Sequence, residues 1–380
     1  VAGLQGFSTV GSLSRLRSGE PFVVLVATER DESAERAWRG IAERLVALDD
    51  EQRGGRLGAG PSAVFDPVPV TGGYVFSVDT HLMTTRAVRA IPALVLQEFE
   101  AAGSAAARVS VPQASRWLRA FAGRVGLATQ VQLYGPMKAW VKAPDARPPG
   151  QPPFRAVPWT SDQLEPFTAA AARWVGERGP VTLTLVDDVL VQDVPPAEAA
   201  RAALLPLSGA GAMCVLYAGD ATGDARVVTV SSILGIEVMA TDAALKREGW
   251  AQRLGNSVEY WRALAPHIFW AGADVTGCYE SGHSFGGSQS LLSALTLQDG
   301  SPAQTLHHRD TLIPDAYWWQ VLSPTHLGQL PKLSEGQSAA LDGGRLEVRY
   351  GDAEQWSAGT EARAAMRTRA RRELAVLIPD

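Results

Sequence analysis

Apolar and polar positions divide the chain into short strands and one-faced helices from residue 22 onward. Residues 22–27 (FVVLVA) are a continuous, largely β-branched apolar run, which predicts a buried strand. Behind it Ala34, Trp38, Ile41, Leu45 and Leu48 return at helical spacing, with Ser33 as candidate cap and Glu35 four residues before Arg39. Gly54, Gly55, Gly58 and Gly60 end that helix, and apolar stretches at 63–65 and 74–78 flank a turn at Thr71, Gly72 and Gly73. Thr84 or Thr85 then opens a second helix whose apolar face is Val88, Ile91, Leu94, Val95 and Phe99, and residues 107–111 alternate as a strand. The order is βαββαβ.

Residues 115–125 predict a helix and 127–141 an extended piece ending at Trp140. Five prolines then fall between Lys142 and Phe154, which holds the backbone extended and removes ladder donors. The expected domains are therefore 1–142 and 161–380, with 143–160 as linker. In the second half a helix from Ser161 to Trp174 leads into an alternating strand at 181–186 with one wet face. A helix at 196–205 precedes an apolar strand at 213–217, and a turn at Gly223 and Asp224 sends 227–230 back along it. Asp242 is expected to start a helix toward Leu254, and Ser257 a shorter one through Leu264, which Pro266 stops. Strand 268–275 follows. The fold class is thus α+β, expected as two tandem βαββαβ-like sandwiches with mainly antiparallel sheets. Near the C-terminus come an aromatic stretch at 317–322, a strand at 346–350 and a last helix at 360–374. Its arginines, 363, 367, 369, 371 and 372, read as a solvated face.

The chain has 380 residues, is 46% hydrophobic and carries a formal charge of −5, so it has ample side chain for a core and no basic footprint for nucleic acid. No apolar run reaches membrane-span length, and a cytoplasmic protein without membrane contact is expected. The two cysteines, Cys214 and Cys278, read as buried free thiols. His307, His308 and Asp310 carry ligand atoms suited to zinc or iron, but adjacent histidines diverge and no second cluster lies nearby, so a surface loop is the reading and no metal is expected. Neither a G-x-G-x-x-G nor a phosphate loop is present, and no cofactor is expected.

One hexapeptide carries candidate chemistry: Gly282, His283, Ser284, Phe285, Gly286 and Gly287. Over these six residues the chain resembles the nucleophile elbow of α/β-hydrolases, where glycines let a serine sit on a tight strand-to-helix turn. The resemblance implies Ser284 as nucleophile, His326 as base and Asp310 or Asp315 as its orienting acid. Against it, 274–281 is not the unbroken apolar run of a buried parallel strand, and neither His81 nor His267 is followed by the glycine of an oxyanion loop.

From Met213 onward the chain also resembles bacterial immunity proteins associated with type VI secretion toxins. The residues that carry this are Tyr260 and Trp261 with 262–265, the segment 280–285, the segment 318–327, the segment 346–352 and the last helix. The resemblance implies a cytoplasmic protein that binds and occludes a toxin without catalysis. The expected partner is therefore another protein, with Tyr317, Trp318, Trp319 and Trp356 as aromatic anchors wherever they are exposed. A serine esterase or peptidase using Ser284 is the alternative.

Overall fold

The computed structural model describes residues 7–8, 22–26, 32–53, 68–70, 73–78, 83–103, 127–142, 154–185, 190–208, 213–219, 224–233, 235–244, 249–277, 310–331, 333–357 and 360–378. Its strands in the first half are β1 (Phe7–Ser8), β2 (Phe22–Val26), β3 (Val68–Val70), β4 (Gly73–Val78), β5 (Leu127–Met137), β6 (Trp140–Lys142) and β7 (Phe154–Ala156). Those in the second half are β8 (Val181–Leu185), β9 (Leu190–Val194), β10 (Met213–Gly219), β11 (Ala225–Ser231), β12 (Gly235–Ala244), β13 (Trp270–Gly277), β14 (Trp319–Leu322), β15 (Gln337–Leu341) and β16 (Arg345–Arg349). The helices are α1 (Glu32–Arg53), α2 (Thr85–Ala101), α3 (Ser161–Gly176), α4 (Pro196–Leu207), α5 (Trp250–Arg262), α6 (Pro324–Leu327), α7 (Ala353–Ser357) and α8 (Thr360–Glu373).

The fold is α+β, and every strand pair among the described residues is antiparallel. In the N-terminal part β2, β4 and β3 form a small sheet, and Ala34, Trp38, Ile41, Leu45, Val88, Ile91, Val95 and Phe99 make a core of their own between α1 and α2. Thr84 caps α2 by accepting from the Ala87 N–H. The spacing had identified this face residue by residue.

The rest is one eleven-stranded sheet in the order β1-β9-β8-β10-β11-β12-β5-β13-β14-β16-β15. This strand order does not follow two independent βαββαβ units. β5 precedes the proline-rich stretch, yet it lies between β12 and β13 in the sheet, with Leu133 opposite both Val238 and Ala271. The prolines separate a strand from the sheet it belongs to, because a chain can loop out and return at little entropic cost.

Helices α3, α4 and α5 cover one face, α3 over β10–β12, α4 over β8–β10 and α5 over β5, β12 and β13. Trp174 and Trp261 meet edge to face at 5.6 Å between centroids within this layer. One stretch departs from the sequence reading. Asp242 lies in β12 and not at a helix start, and Ser257 is buried within the single helix α5. Asp242 is buried against Arg253 at 3.0 Å, with Arg178 and Arg226 at 3.7 and 3.6 Å. Three guanidinium groups compensate the desolvation of a carboxylate that periodicity alone would place at a wet helix cap.

Candidate binding surface

The four aromatic residues expected as anchors are core residues, and that expectation is corrected. Tyr317, Trp318, Trp319 and Trp356 are all buried. Their polar edges are engaged as well: Trp319 Nε1 donates to Glu347 Oε1 at 2.9 Å, Trp356 Nε1 to Asp274 Oδ1 at 2.6 Å and Trp318 Nε1 to the Gly351 carbonyl at 3.2 Å. Tyr317 packs on Trp270 at 5.6 Å, and Trp270 stacks on Tyr134 at 5.1 Å while donating to Gln320 Oε1 at 3.1 Å. Gly272 makes this cluster fit, since a Cβ there would stand 2.5 Å from the Trp270 ring and 2.9 Å from Tyr317.

The groups assigned to a hydrolase divide in two. Ser284, with the whole hexapeptide, lies outside the described residues, as do His307, His308 and Cys278. His326 is fully buried, and its Nδ1 accepts from the Ser323 N–H at 3.2 Å with the Ser323 hydroxyl 3.0 Å away. A triad histidine instead donates from Nδ1 to its acid. Burial holds His326 down to about 4, against the pull of the Leu312 backbone and the charge of Asp310. Asp315 is taken up by Arg367 and by Arg371, whose Nε is 2.9 Å from Oδ1. His326 thus caps α6 and Asp315 docks α8, while Asp310 acts on His326 by its charge.

That docking also corrects the reading of the last helix. Arg363, Arg367 and Arg371, one turn apart, pair with Asp274 and Asp315, with Arg363 at 2.8 Å from Asp274. Arg363 and Arg367 are half-buried, and Arg371 is exposed, as are Arg369 and Arg372. Cys214 is buried, and burial raises its thiol above the ordinary range. Among the described residues no group of three or more His, Cys, Asp or Glu is placed to hold a metal.

A different aromatic residue faces solvent. Trp140 is 48% exposed, and beside it stand Val141 at 40%, Val157 at 39% and Ile233 at 49%. Of the described tryptophans Trp140 alone is exposed. Its position follows from β5. After Tyr134 the pairing with β13 ends, while β12 stays paired as far as Met137 opposite Gly235 across an irregularity in register, and Pro136 has no N–H to donate. The chain continues as β6, which pairs only with β7, Trp140 opposite Ala156, and all three β6 residues are exposed. Val157 is tied to this ribbon by donating its N–H to the Ala139 carbonyl at 2.7 Å. The Trp159 indole donates to the Ser232 carbonyl at 3.0 Å, which fixes the β11–β12 turn and Ile233 against the same segment. Exposed apolar side chains thus stand on both faces of this ribbon, Trp140 on one and Val141 on the other, as successive strand residues must.

No family model matches the chain, and no curated protein does. Among solved structures it is similar to a T6SS protein of Pseudomonas aeruginosa, at 10% identity and a TM-score of 0.40, over 67% of this chain and 77% of that one.

Sequence reasoning passed over Trp140 because an apolar residue at the end of a strand looks the same whether the strand is central or marginal. The signal was present in Pro136 and the prolines after Lys142, which mark where β5 must stop donating.

Proposed function

We propose that this chain works by binding another protein, without chemistry of its own, and that the surface around Trp140 makes the contact. The observation that carries the reading is the exposed indole of Trp140 in a chain whose other described tryptophans are buried or half-buried. Tryptophan is the residue most enriched among those that dominate binding energy, and a ring left in water on a hydrogen-bonded ribbon is what a contact site offers. The finer reading is an immunity factor that occludes a toxin. It rests on the sequence resemblance over 260–265, 280–285, 318–327, 346–352 and the last helix. In this reading the partner is occluded by contact, and no group of this chain enters its chemistry.

The test is quantitative capture from source cells with the tagged chain and with Trp140→Ala. A protein retained by the first and lost by the second supports the reading, and its identity decides whether it is a toxin. Identical capture profiles from the two proteins overturn it.

A further inference from the structure

The eleven-stranded sheet has two ends, and they are unlike. At one end β1 is only two residues long. At the other, β15 pairs with β16 without interruption from Gln337 opposite Arg349 to Leu341 opposite Arg345. Four of its five side chains are exposed and the fifth is half-buried, and among the described residues no strand pairs with its outer edge. Such edges are templates for another strand, and proteins ordinarily protect them with lysine, proline, a bulge or extreme shortness. β15 has none of these: 336–341 reads GQSAAL.

The edge is also held in place before any partner arrives. The Glu335 N–H donates to Glu373 Oε1 at 2.8 Å, the Ser334 N–H donates to the same oxygen, and Glu373 Oε2 accepts from the Tyr350 hydroxyl at 3.0 Å. At the far end Arg345 Nε donates to the Ile268 carbonyl at 3.0 Å. The open backbone groups are therefore aligned at no further ordering cost, which is what strand addition requires.

Charge selects the occupant. Glu335 and Asp342 bracket the strand, and both are exposed. We infer that the outer edge of β15 is a docking site for an extended segment of another protein, uncharged along its middle and carrying a lysine or arginine at each end. In antiparallel pairing each cation stands opposite one acid, where opposite charges on facing residues are favourable. A second copy of this chain fits less well, because pairing two β15 strands antiparallel about Ala339 brings the acids of both copies to the same ends of the ladder. The inference stands apart from the Trp140 surface.

The probe is a fluorescent peptide with lysine at both ends and alternating threonine and valine between, matched to the Glu335–Asp342 span. A second peptide carries glutamate at both ends. Fluorescence anisotropy should show the lysine peptide binding about fivefold more tightly, the size expected of two surface pairs. The double variant Glu335→Lys with Asp342→Lys should invert that order. Proline is placed separately at Ala339 and Ala340, whose N–H groups point to opposite sides of the strand. The variant that keeps the wild-type melting temperature has lost the outward donor, and it should weaken the peptide by more than about tenfold. No saturable binding at about 1 mM peptide, or no response to the charge reversal, overturns the proposal. So does a dimer in sedimentation velocity that the same proline variant abolishes, which assigns the edge to a second copy. Trp140→Ala should leave peptide binding unchanged, so the two surfaces fail or stand separately.

Discussion

Trp140 and Trp319 are both tryptophans on strands, but Trp140 is exposed on the two-stranded β6–β7 ribbon and Trp319 is buried on β14 of the large sheet. Trp319→Ala removes a fully buried ring and leaves Glu347 Oε1 without its indole donor, so a loss of about 3–5 kcal/mol in urea unfolding is expected. Trp140→Ala should change stability by no more than about 0.5 kcal/mol while weakening partner binding by about 2 kcal/mol. Equal destabilisation of the two variants would contradict the assignment of Trp140 to the surface. His326 gives a pH signature. Its folded value of about 4 lies below the ordinary 6.5, so the unfolded chain binds the extra proton and stability is full above about 6.5. It should fall as pH drops through the window from 6.5 to about 4, by roughly 3 kcal/mol from this group. His326→Asn, which keeps an acceptor for the Ser323 N–H, should flatten that part of the stability–pH curve.

At the scale of elements, α8 is attached by charge as much as by packing. Arg363→Ala leaves the half-buried Asp274 carboxylate with the Trp356 indole, the Val275 N–H and the charge of Arg367, and about 2 kcal/mol of destabilisation is expected in thermal unfolding. Arg369→Ala, on the exposed side of the same helix, should cost less than about 0.5 kcal/mol. The arginine run was legible in the sequence and its partners were not, because Asp274 and Asp315 are distant in sequence and reach the helix only once β13 and the segment before β14 are packed. The same limit explains β12. Its buried pattern is interrupted by half-buried Glu237 and Met239 and includes a charged Asp242, a combination that reads as a helix start until three arginines from other elements are brought to it.

For the whole molecule, β5 is the strand on which cooperativity depends. It is hydrogen-bonded on both sides, to β12 and β13, and a fragment lacking it exposes two strand edges in the middle of the sheet. A fragment of 161–380 should therefore be aggregated or molten by near-ultraviolet circular dichroism, whereas 127–380 should be soluble with a cooperative melt. Independent folding of 161–380 would restore the boundary that the prolines imply. The separate core between α1 and α2 is consistent with cutting before residue 127 instead.

Local physics in the sequence determined the α+β class, the antiparallel hairpins at Gly73 and at Asp224, the face of α2 and the stop at Pro266, since each depends on neighbours within a turn or two of chain. Tertiary structure alone decided which tryptophan is exposed, which arginines pair with Asp274 and Asp315, and that β5 crosses the prolines into the large sheet. Those outcomes turn on long-range strand pairing, where a strand's partner, and hence which of its side chains meet water, is set by contacts that no local spacing encodes.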